Sequence, residues 1–407
     1  METPPESRRL CDRCLGRRVI GAAGLAPQKE AAAKLRSWAE VAEAECPVCE
    51  GAFAHTATWL RLAQDALAGW QFATFQVGTK FPGPGEGFEK AVSKAMAQEK
   101  VGETVRTEAN RWLAFELGKA TGTTTSPEGR PDVVVEVDTR YWTATVEANS
   151  VFVKGRYNKL RRDIPQTHWP CRRCQGRGCW ECNDTGVTYS ESVEDAIGDE
   201  ALPLFAATDC AFHGAGREDI DALMLGTGRP FILELKQPRR RTADLAEFAA
   251  RVNAKTAKSG VSVRDLRPAK PDEVPEIKEG EYEKEYLAHC VAQAALPKAQ
   301  VESIARELTG KTLEQRTPER VSHRRADLVR KRTVHAATVE AAEGDPVQRF
   351  SLRVRAESGT YIKELVSGDE GRTVPSFAAL AGVPVLVEFL DVVAILDDRP
   401  KVKAGEA

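Results

Sequence analysis

The sequence predicts a multidomain α+β protein. The chain has 407 residues, of which 42% are hydrophobic, so it can bury two to three separate cores. Stretches with the helical spacing of apolar residues alternate with short valine-rich stretches typical of strands. Eight of the ten cysteines stand in Cys-x-x-Cys pairs, which predict two metal-binding knuckles along the chain.

The first two cysteine pairs predict an N-terminal zinc-binding region over residues 1–54. The expected ligands are Cys11, Cys14, Cys46 and Cys49. A Cys-x-x-Cys turn aims two thiolates at one tetrahedral ion, and a second such turn completes a closed four-cysteine site. Free core thiols would have no reason to recur at this spacing, and a thioredoxin-like redox role would need a βαβ pattern that follows neither pair. We therefore expect structural zinc.

Residues 55–165 have the pattern of an α/β domain. In order, the pattern predicts a helix at 59–70, a strand at 72–78, a helical region at 87–118 and strands at 131–137, 141–146 and 151–153. The stretch from Arg156 to Arg162 follows, with basic residues interleaved with Tyr157. Such a stretch suits either a phosphate backbone with a stacked base or a charged linker between domains.

Residues 166–192 carry the second cysteine set, and we expect a second zinc knuckle there. Its ligands would be Cys171, Cys174, Cys179 and Cys182, in a Cys-x-x-Cys-x-Gly-x-Gly arrangement similar to the zinc knuckles of DnaJ-type chaperones. Only four residues separate the two pairs, but Gly176 and Gly178 let the chain reverse sharply enough to share one ion. The remaining Cys210 and Cys290 carry no pairing signal and are expected to be small buried hydrophobes.

Several classes of protein are disfavoured by the sequence. The polar start of the chain has no apolar core of a signal peptide, and the apolar tract 377–396 is interrupted by Pro384, Glu388 and Asp391. We therefore expect a cytoplasmic protein with no membrane partner, in a reducing compartment where paired cysteines usually bind metal. A P-loop and a complete Rossmann fingerprint are both missing from the sequence, so no nucleotide cofactor is expected.

A polar turn in the second half of the chain predicts a catalytic carboxylate. Gly216-Arg217-Glu218-Asp219 lies between two apolar segments, the second of which, 230–235, is expected to be a buried strand. An Asp on a glycine loop beside an Arg is a candidate nucleophile or base, because the adjacent cation stabilises the ionised carboxylate. A surface loop with a local Arg–Asp pair is the simpler alternative for this pattern alone. Of Asp219 and Asp221, only Asp219 is expected to reach a cleft.

Basic residues are clustered although the net charge is only −2. One cluster is 239–241, and another comprises Arg316, Arg320, Arg324, Arg325, Arg330, Lys331 and Arg332. Local basic stripes on a balanced protein are compatible with phosphate contacts, and equally with a solvated helical face.

Three motifs in order resemble one enzyme family. They are the loop that ends at Asp219, the strand-like Lys284-Glu285-Tyr286-Leu287-Ala288, and Gly359-Thr360-Tyr361-Ile362-Lys363-Glu364-Leu365. Together they are similar to the archaeal and eukaryal tRNA pseudouridine synthases that modify uridines 54 and 55 of the T-arm. The resemblance covers residues from about 11 to 396. It departs from the family pattern where Ala222 and Leu223 follow Asp221.

The resemblance implies a fold, a substrate and roles for individual residues. Residues 55–165 would form a THUMP-like RNA-binding domain, and residues 193–407 a pseudouridine synthase domain with a mixed, largely antiparallel sheet. The substrate partner would be tRNA, and catalysis would need no cofactor. Asp219 would be the catalytic carboxylate, Lys363 its paired cation, and Tyr286 the platform that stacks on the target uracil. Tyr361 and Arg217 would contact the substrate.

The motifs leave two choices open. The modified base is uridine 54, uridine 55 or both, and Asp219 attacks the ribose, attacks the ring or acts as a base. A non-catalytic, zinc-dependent RNA-binding protein is the alternative function. It would keep the knuckles and the basic stripes, but would not need Asp219, Tyr286 and Lys363 together.

Overall fold

The computed structural model of the chain describes residues 10–14, 17, 42–81, 103–126, 129–324 and 326–396. Within these residues the helices are α1 (Thr56–Leu67), α2 (Val105–Thr121), α3 (Val193–Phe205), α4 (Leu245–Ala254), α5 (Thr256–Ser259), α6 (Glu273–Glu279), α7 (Lys298–Leu308), α8 (Ile362–Ser367) and α9 (Phe377–Ala381). The chain divides into two compact units, Met1–Ser150 with Gln237–Arg241, and Val151–Lys236 with Thr242–Ala407.

The strands form one sheet in each unit. Those of the first unit are β1 (Thr74–Lys80), β2 (Thr124–Thr125), β3 (Val133–Asp138) and β4 (Thr143–Ala148). Those of the second unit are β5 (Val151–Lys159), β6 (Asp209–Gly214), β7 (Met224–Lys236), β8 (Val261–Ala269), β9 (Glu283–Leu296), β10 (Thr312–Arg316), β11 (Val329–Ala342), β12 (Val347–Ala356), β13 (Thr373–Val374) and β14 (Val385–Leu396).

The first unit packs α1 and α2 against a sheet of order β2-β1-β3-β4. The valines of β3 alternate between buried and half-buried positions, as expected for a strand with one face on the core. Thr104 caps α2, since its hydroxyl accepts a hydrogen bond from the Thr107 amide at 3.1 Å, and Gly122 ends the helix with φ 69°. The first part of the predicted helical region at 87–118 lies outside the described residues.

The Pro-Asp sequence before β3 has a defined structural task. The Asp132 carboxylate accepts hydrogen bonds from the amides of Ala73 and Thr74, at 2.8 and 3.1 Å, and so ties the start of β1 to β3. Arg241 pairs with the same carboxylate at 2.8 Å and donates to the Asn149 carbonyl at 2.7 Å. The last residue of the basic cluster 239–241 therefore holds the first unit together.

A buried ion pair joins the N-terminal cysteine region to α2. Arg17 and Glu108 are both almost completely buried, with 2.7 Å between Arg17 Nη1 and Glu108 Oε2. The same guanidinium donates to Cys14 Sγ at 2.9 Å, and Arg13 contacts the other carboxylate oxygen of Glu108 at 2.9 Å. The carboxylate thus neutralises cations that bring the first Cys-x-x-Cys turn against the helix.

The second unit is built on a mixed sheet of order β13-β10-β11-β12-β9-β14-β7-β5-β8, with β6 paired to β7. Its pairings are antiparallel except that β14 runs parallel to β7. The predicted α+β class with a mixed, largely antiparallel sheet is confirmed. Helix α7 packs on β11, and α8 packs on β14 and β9.

One strand belongs to a different sheet from the one that its sequence position suggested. The predicted short strand 151–153 was grouped with the first α/β region, but it is the start of the nine-residue strand β5 of the second unit. Strand β5 pairs with both β7 and β8, because Val153 and Tyr157 are buried in the core that these strands share. Short-range periodicity carries no information about such long-range pairing.

No helix among the described residues is long and apolar enough to cross a membrane.

We expect Glu108→Gln to destabilise α2 strongly. The change keeps the side-chain volume but removes the carboxylate charge from its buried pair with Arg17, and breaking a buried ion pair typically costs about 3–5 kcal/mol. Hydrogen exchange of the α2 amides in the full chain should show this loss of local stability. The control is Asp65→Asn, which breaks an exposed pair with Arg61 at 3.5 Å and should cost under about 1 kcal/mol. Equal protection of α2 in the parent and the Glu108→Gln chain would contradict the assignment.

Candidate active site

The loop between β6 and β7 presents the predicted carboxylate. Strands β6 and β7 are antiparallel, and their last pair is Gly214 with Phe231. Between the end of β6 at Gly214 and the start of β7 at Met224, the chain forms a nine-residue loop. Gly216 takes φ 76°, and a Cβ there would lie only 3.3 Å from Arg229 Nη1. The Ala222 amide donates to the Asp219 carbonyl at 3.1 Å, which closes a turn around residue 219. We call residues 215–223 the catalytic loop.

Two carboxylates of this loop meet one lysine. Lys363 Nζ lies 3.0 Å from Asp221 Oδ2 and 3.7 Å from Asp219 Oδ2. The turn closed between Asp219 and Ala222 leaves both carboxylates within 4 Å of the same cation, although they do not lie on a regular strand. The expectation that only Asp219 would reach the cleft is therefore wrong at this point. Lys363 itself is on the first turn of α8, after the Gly359 bend.

Arg320 is a second cation beside Asp219, and the sequence motifs do not indicate it as part of the site. Arg320 Nη1 lies 3.4 Å from Asp219 Oδ2, and its Nε donates to the buried carboxylate of Glu364 at 2.7 Å. Arg320 belongs to the basic stripe, so its only sequence signal was a cluster of arginines. The stripe's Arg316 pairs with Asp327. Arg325 of the stripe lies outside the described residues.

Arg217, two residues before Asp219 in the sequence, does not serve as its counter-ion. Arg217 extends over the ring of Trp169, with its guanidinium carbon 4.6 Å from the ring centroid. Among the described residues, the cations within 4 Å of the Asp219 carboxylate are Arg320, on the short 3-10 helix Glu319–Arg324, and Lys363 on α8. The premise that the adjacent Arg217 stabilises Asp219 is corrected accordingly.

A buried polar network lies beneath the catalytic loop. Glu218, between Arg217 and Asp219, is buried and pairs with the buried Arg229, with 2.7 Å between Arg229 Nε and Glu218 Oε2. The Tyr157 hydroxyl donates to the Glu218 carboxylate at 2.8 Å, and burial together with that negative charge raises the pKa of Tyr157. Gln166 Nε2 donates to the Tyr157 hydroxyl at 2.9 Å and to the Gly216 carbonyl at 3.0 Å.

The backbone of the loop is held from the end of β5. Lys159 is buried, and its Nζ donates to the carbonyls of Ile220 and Asp219 at 2.9 and 3.3 Å and to that of Ile164 at 3.0 Å. Burial lowers the pKa of Lys159. Arg162 donates to the Asp221 carbonyl at 2.9 Å and makes two hydrogen bonds to the buried Asp391 carboxylate, at 2.6 and 2.9 Å.

These contacts correct the expectation for the basic stretch 156–162. It suggested an RNA-backbone contact or a charged linker, yet Tyr157 and Lys159 face inward and fix the catalytic loop. Arg161 is likewise engaged, by Asp163 and Glu191. The alternation of β5 places residues 157 and 159 on its buried face, and this alternation was the available signal.

The two predicted tyrosines lie on separate elements of the same unit. Tyr286 is on β9 and almost buried, and burial raises its pKa to about 12, so its phenol is neutral at physiological pH. The charge of Asp219 contributes to this rise. Tyr361 precedes α8, and its backbone amide and carbonyl are both held by the buried Gln315 side chain, at 2.9 and 3.0 Å.

Both cysteine clusters have the geometry of a tetrahedral thiolate site. In each, the four sulfurs lie within 4.8 Å of one another. Cys11 and Cys49 Sγ are 3.7 Å apart, and in the second cluster Cys171–Cys179 and Cys174–Cys182 are 3.9 and 3.8 Å apart. Four sulfurs bound at 2.3 Å around one zinc would stand about 3.8 Å apart. All ten cysteines are free thiols, so both clusters can hold a metal ion.

The chain matches known proteins along nearly its whole length. The family described as "Pus10, C-terminal" matches residues 152–396, and "Pus10 THUMP domain, archaeal" matches residues 59–138. The "tRNA pseudouridine synthase Pus10" of Halorubrum lacusprofundi is 41% identical, over 96% of this chain and 94% of that protein. The protein of the same name from Methanopyrus kandleri is 38% identical, over 87% of this chain and 81% of its own.

A solved structure, "Crystal Structure of a Cbf5-Nop10-Gar1 Complex", aligns with 59% of this chain and 48% of that chain. Its TM-score is 0.32 at 16% identity, which is too slight a likeness to support an argument. The THUMP resemblance noted in the sequence is confirmed by the family match within 59–138. Because one family match spans more than half of the chain and relatives are 38–41% identical over most of it, this protein belongs to the Pus10 family.

Proposed function

We propose that this chain is a tRNA pseudouridine synthase that isomerises uridine 54, uridine 55 or both in the T-arm, with Asp219 as the catalytic carboxylate. The observation that carries the proposal is the placement of Asp219. Lys159 binds the backbone carbonyl of Asp219, and the Asp219 carboxylate faces Lys363 and Arg320. The relatives named as tRNA pseudouridine synthases support the activity in this proposal.

The reaction needs a carboxylate and an enclosed place for one base. Converting uridine to pseudouridine breaks the N-glycosidic bond, turns the uracil and rejoins it to the ribose through carbon. At the end the ring nitrogen holds a proton and the ring carbon has lost one, so no oxidant or reductant enters. A carboxylate can act as the nucleophile or as the base in such a sequence. Asp219 is 40% exposed, which leaves it accessible to a substrate.

The surrounding residues take complementary roles in this proposal. Lys363 and Arg320 offset the negative charge of Asp219 and orient it. Tyr286, a neutral phenol on β9, offers its ring to a uracil flipped out of the RNA stack. Tyr361 contacts the substrate from the N-terminus of α8. Arg217, stacked on Trp169, extends the basic and aromatic surface for the RNA.

The first unit and the cysteine clusters have supporting roles in the proposal. The THUMP domain binds tRNA, and the two clusters each hold one zinc ion for structure. With four protein thiolates as ligands, a zinc ion keeps no open position for a water molecule, so zinc would supply rigidity and no chemistry. We place the reaction in the cytoplasm, where free thiols such as these remain reduced.

Asp219→Asn should abolish pseudouridine formation and leave tRNA affinity within about threefold of the parent, because the amide keeps the size but lacks the charge of the carboxylate. Tritium release from tRNA labelled at the uracil C5 position measures the reaction, and filter binding measures affinity. Asp221→Asn is the matched control, since it removes the other carboxylate on Lys363. It should lower the rate only about 10- to 100-fold, through a displaced Lys363. If Asp221→Asn is inactive while Asp219→Asn turns over, Asp221 is the catalytic residue.

Lys159→Met should slow the reaction roughly 10- to 100-fold at saturating tRNA, because the Asp219 backbone loses its buried donor and a displacement of about 1 Å can cost that much. Affinity for tRNA should change little. Lys154→Met is the control on the same strand, where Lys154 makes a half-buried pair with Glu273 at 3.2 Å, away from the catalytic loop. Equal losses of rate in the two variants would contradict a specific role for Lys159.

Metal analysis of the purified chain should find two zinc ions per chain, one for each cysteine cluster. Cys11→Ser and Cys171→Ser should each lose one ion and lower the melting temperature, because a structural zinc site contributes directly to folding. Cys290→Ala, which changes a thiol outside both clusters, should keep both ions. A metal-free parent chain with all thiols freely titratable would refute the assignment.

A further inference from the structure

Lys284 begins the motif Lys284-Glu285-Tyr286-Leu287-Ala288, and the proposed mechanism assigns it no role. It lies on β9 two residues before Tyr286, so the two side chains share one face of the strand. Its neighbours Glu283 and Glu285 point to the other face. There Glu285 pairs with Arg353 at 2.8 Å, and Glu283 with Arg355 at 3.3 Å.

The Lys284 ammonium lies against the bend of the catalytic loop. A Cβ placed on Gly216 would be 3.5 Å from Lys284 Nζ and 3.3 Å from Arg229 Nη1, so both cations approach the same glycine. Gly216 is three residues before Asp219 and has no side chain to fill this space. Lys284 therefore faces the segment that presents the catalytic carboxylate.

The two cations differ in how their charges are compensated. Arg229 is neutralised by Glu218 and also donates to the Ala215 carbonyl at 2.6 Å. Over the described part of the chain, Lys284 Nζ has neither a carboxylate nor a hydrogen-bond acceptor within contact distance. A largely buried ammonium without a partner is unfavourable, and burial followed by the charge of Arg229 lowers the pKa of Lys284 to about 8.

We propose that Lys284 binds a backbone phosphate of the RNA next to the uridine that enters the site. This rests on the proposed function, since uracil and ribose are neutral and phosphodiesters are the anions that an RNA substrate brings. The shared face with Tyr286 places the ammonium on the side of β9 that carries the proposed base platform. The anion supplies the counter-charge that the protein does not.

The proposal predicts a particular pH dependence of tRNA affinity. In the free protein Lys284 loses its proton as the pH rises through about 8, and a bound phosphate favours the protonated form. Affinity is therefore full below pH 8 and declines above it, by about tenfold between pH 7 and pH 9. The charged group that acts on Lys284 is Arg229 of β7, which pairs with Glu218, and the titratable Tyr286 lies on the same face of its own strand. The strand partners of Lys284, Ala356 and Ile395, are apolar.

The test measures binding of an unmodified tRNA transcript to the full chain carrying Asp219→Asn, at pH 7 and pH 9. Added Lys284→Arg should keep the affinity at pH 7 and remove most of the decline at pH 9, because a guanidinium stays charged while every neighbouring group is retained. Added Lys284→Met should weaken binding at pH 7 at least about fivefold and reduce the salt slope by about one phosphate contact.

Either of two results overturns the proposal. In the first, Lys284→Arg shows the same tenfold decline as its parent, so another group titrates. In the second, Lys284→Met binds as tightly as its parent at pH 7 with an unchanged salt slope. Because the readout is binding and not turnover, it is separate from the Asp219 assignment. An active Asp219→Asn chain would refute the catalytic role of Asp219 without changing the outcome for Lys284.

Discussion

The buried ion pair between Glu218 and Arg229 is the contact on which the geometry of the active site depends. Glu218 directly precedes Asp219, the proposed catalytic carboxylate, so its position fixes where the Asp219 side chain emerges. Both charges are out of water, and each is stable there only because the other is present. The Tyr157 hydroxyl adds a hydrogen bond to the carboxylate, and the Ala215 carbonyl accepts one from the guanidinium. A loop with two partly exposed acids, Asp219 and Asp221, is held in place by its one buried acid.

The end of β5 completes this support from the other side of the loop. Lys159 and Arg162 donate to the carbonyls of residues 219–221, which form no sheet hydrogen bonds in the turn. Buried backbone carbonyls without partners are costly, and a lysine with three donors satisfies several of them at once. A polar, tightly curved loop can therefore lie over a hydrophobic core. The curvature in turn brings Asp219 and Asp221 to the same lysine.

The other face of the site carries charges that are shared between elements. Lys363 is shared by Asp219 and Asp221, Arg320 by Asp219 and Glu364, and Lys284 has no acidic partner among the described residues. Carboxylates and cations are thus equal in number here, and the Lys284 ammonium is the charge left for an anionic substrate to pair. The four-cysteine cluster 171–182 is linked to this face through Trp169. This residue lies two positions before Cys171, and the Arg217 guanidinium stacks on its ring.

The sequence by itself determined the features that depend on local spacing. These are the two four-cysteine clusters, the α+β class, the strand that carries Tyr286, and the turn that exposes Asp219. Local spacing could not determine which cations meet Asp219, because Arg320 and Lys363 are more than a hundred residues away and their approach depends on the order of strands in the sheet. The family resemblance indicated Lys363, but nothing in the sequence indicated Arg320 as a partner of Asp219. The sequence also could not show that Tyr157 and Lys159 face inward, since a basic and aromatic stretch has the same composition whether it binds RNA or a buried loop. The inward orientation of Tyr157 and Lys159 is decided only by the pairing of β5 between β7 and β8. That pairing buries one face of β5 beneath the loop, so the hydrogen-bond donors on this face bind the loop and not solvent.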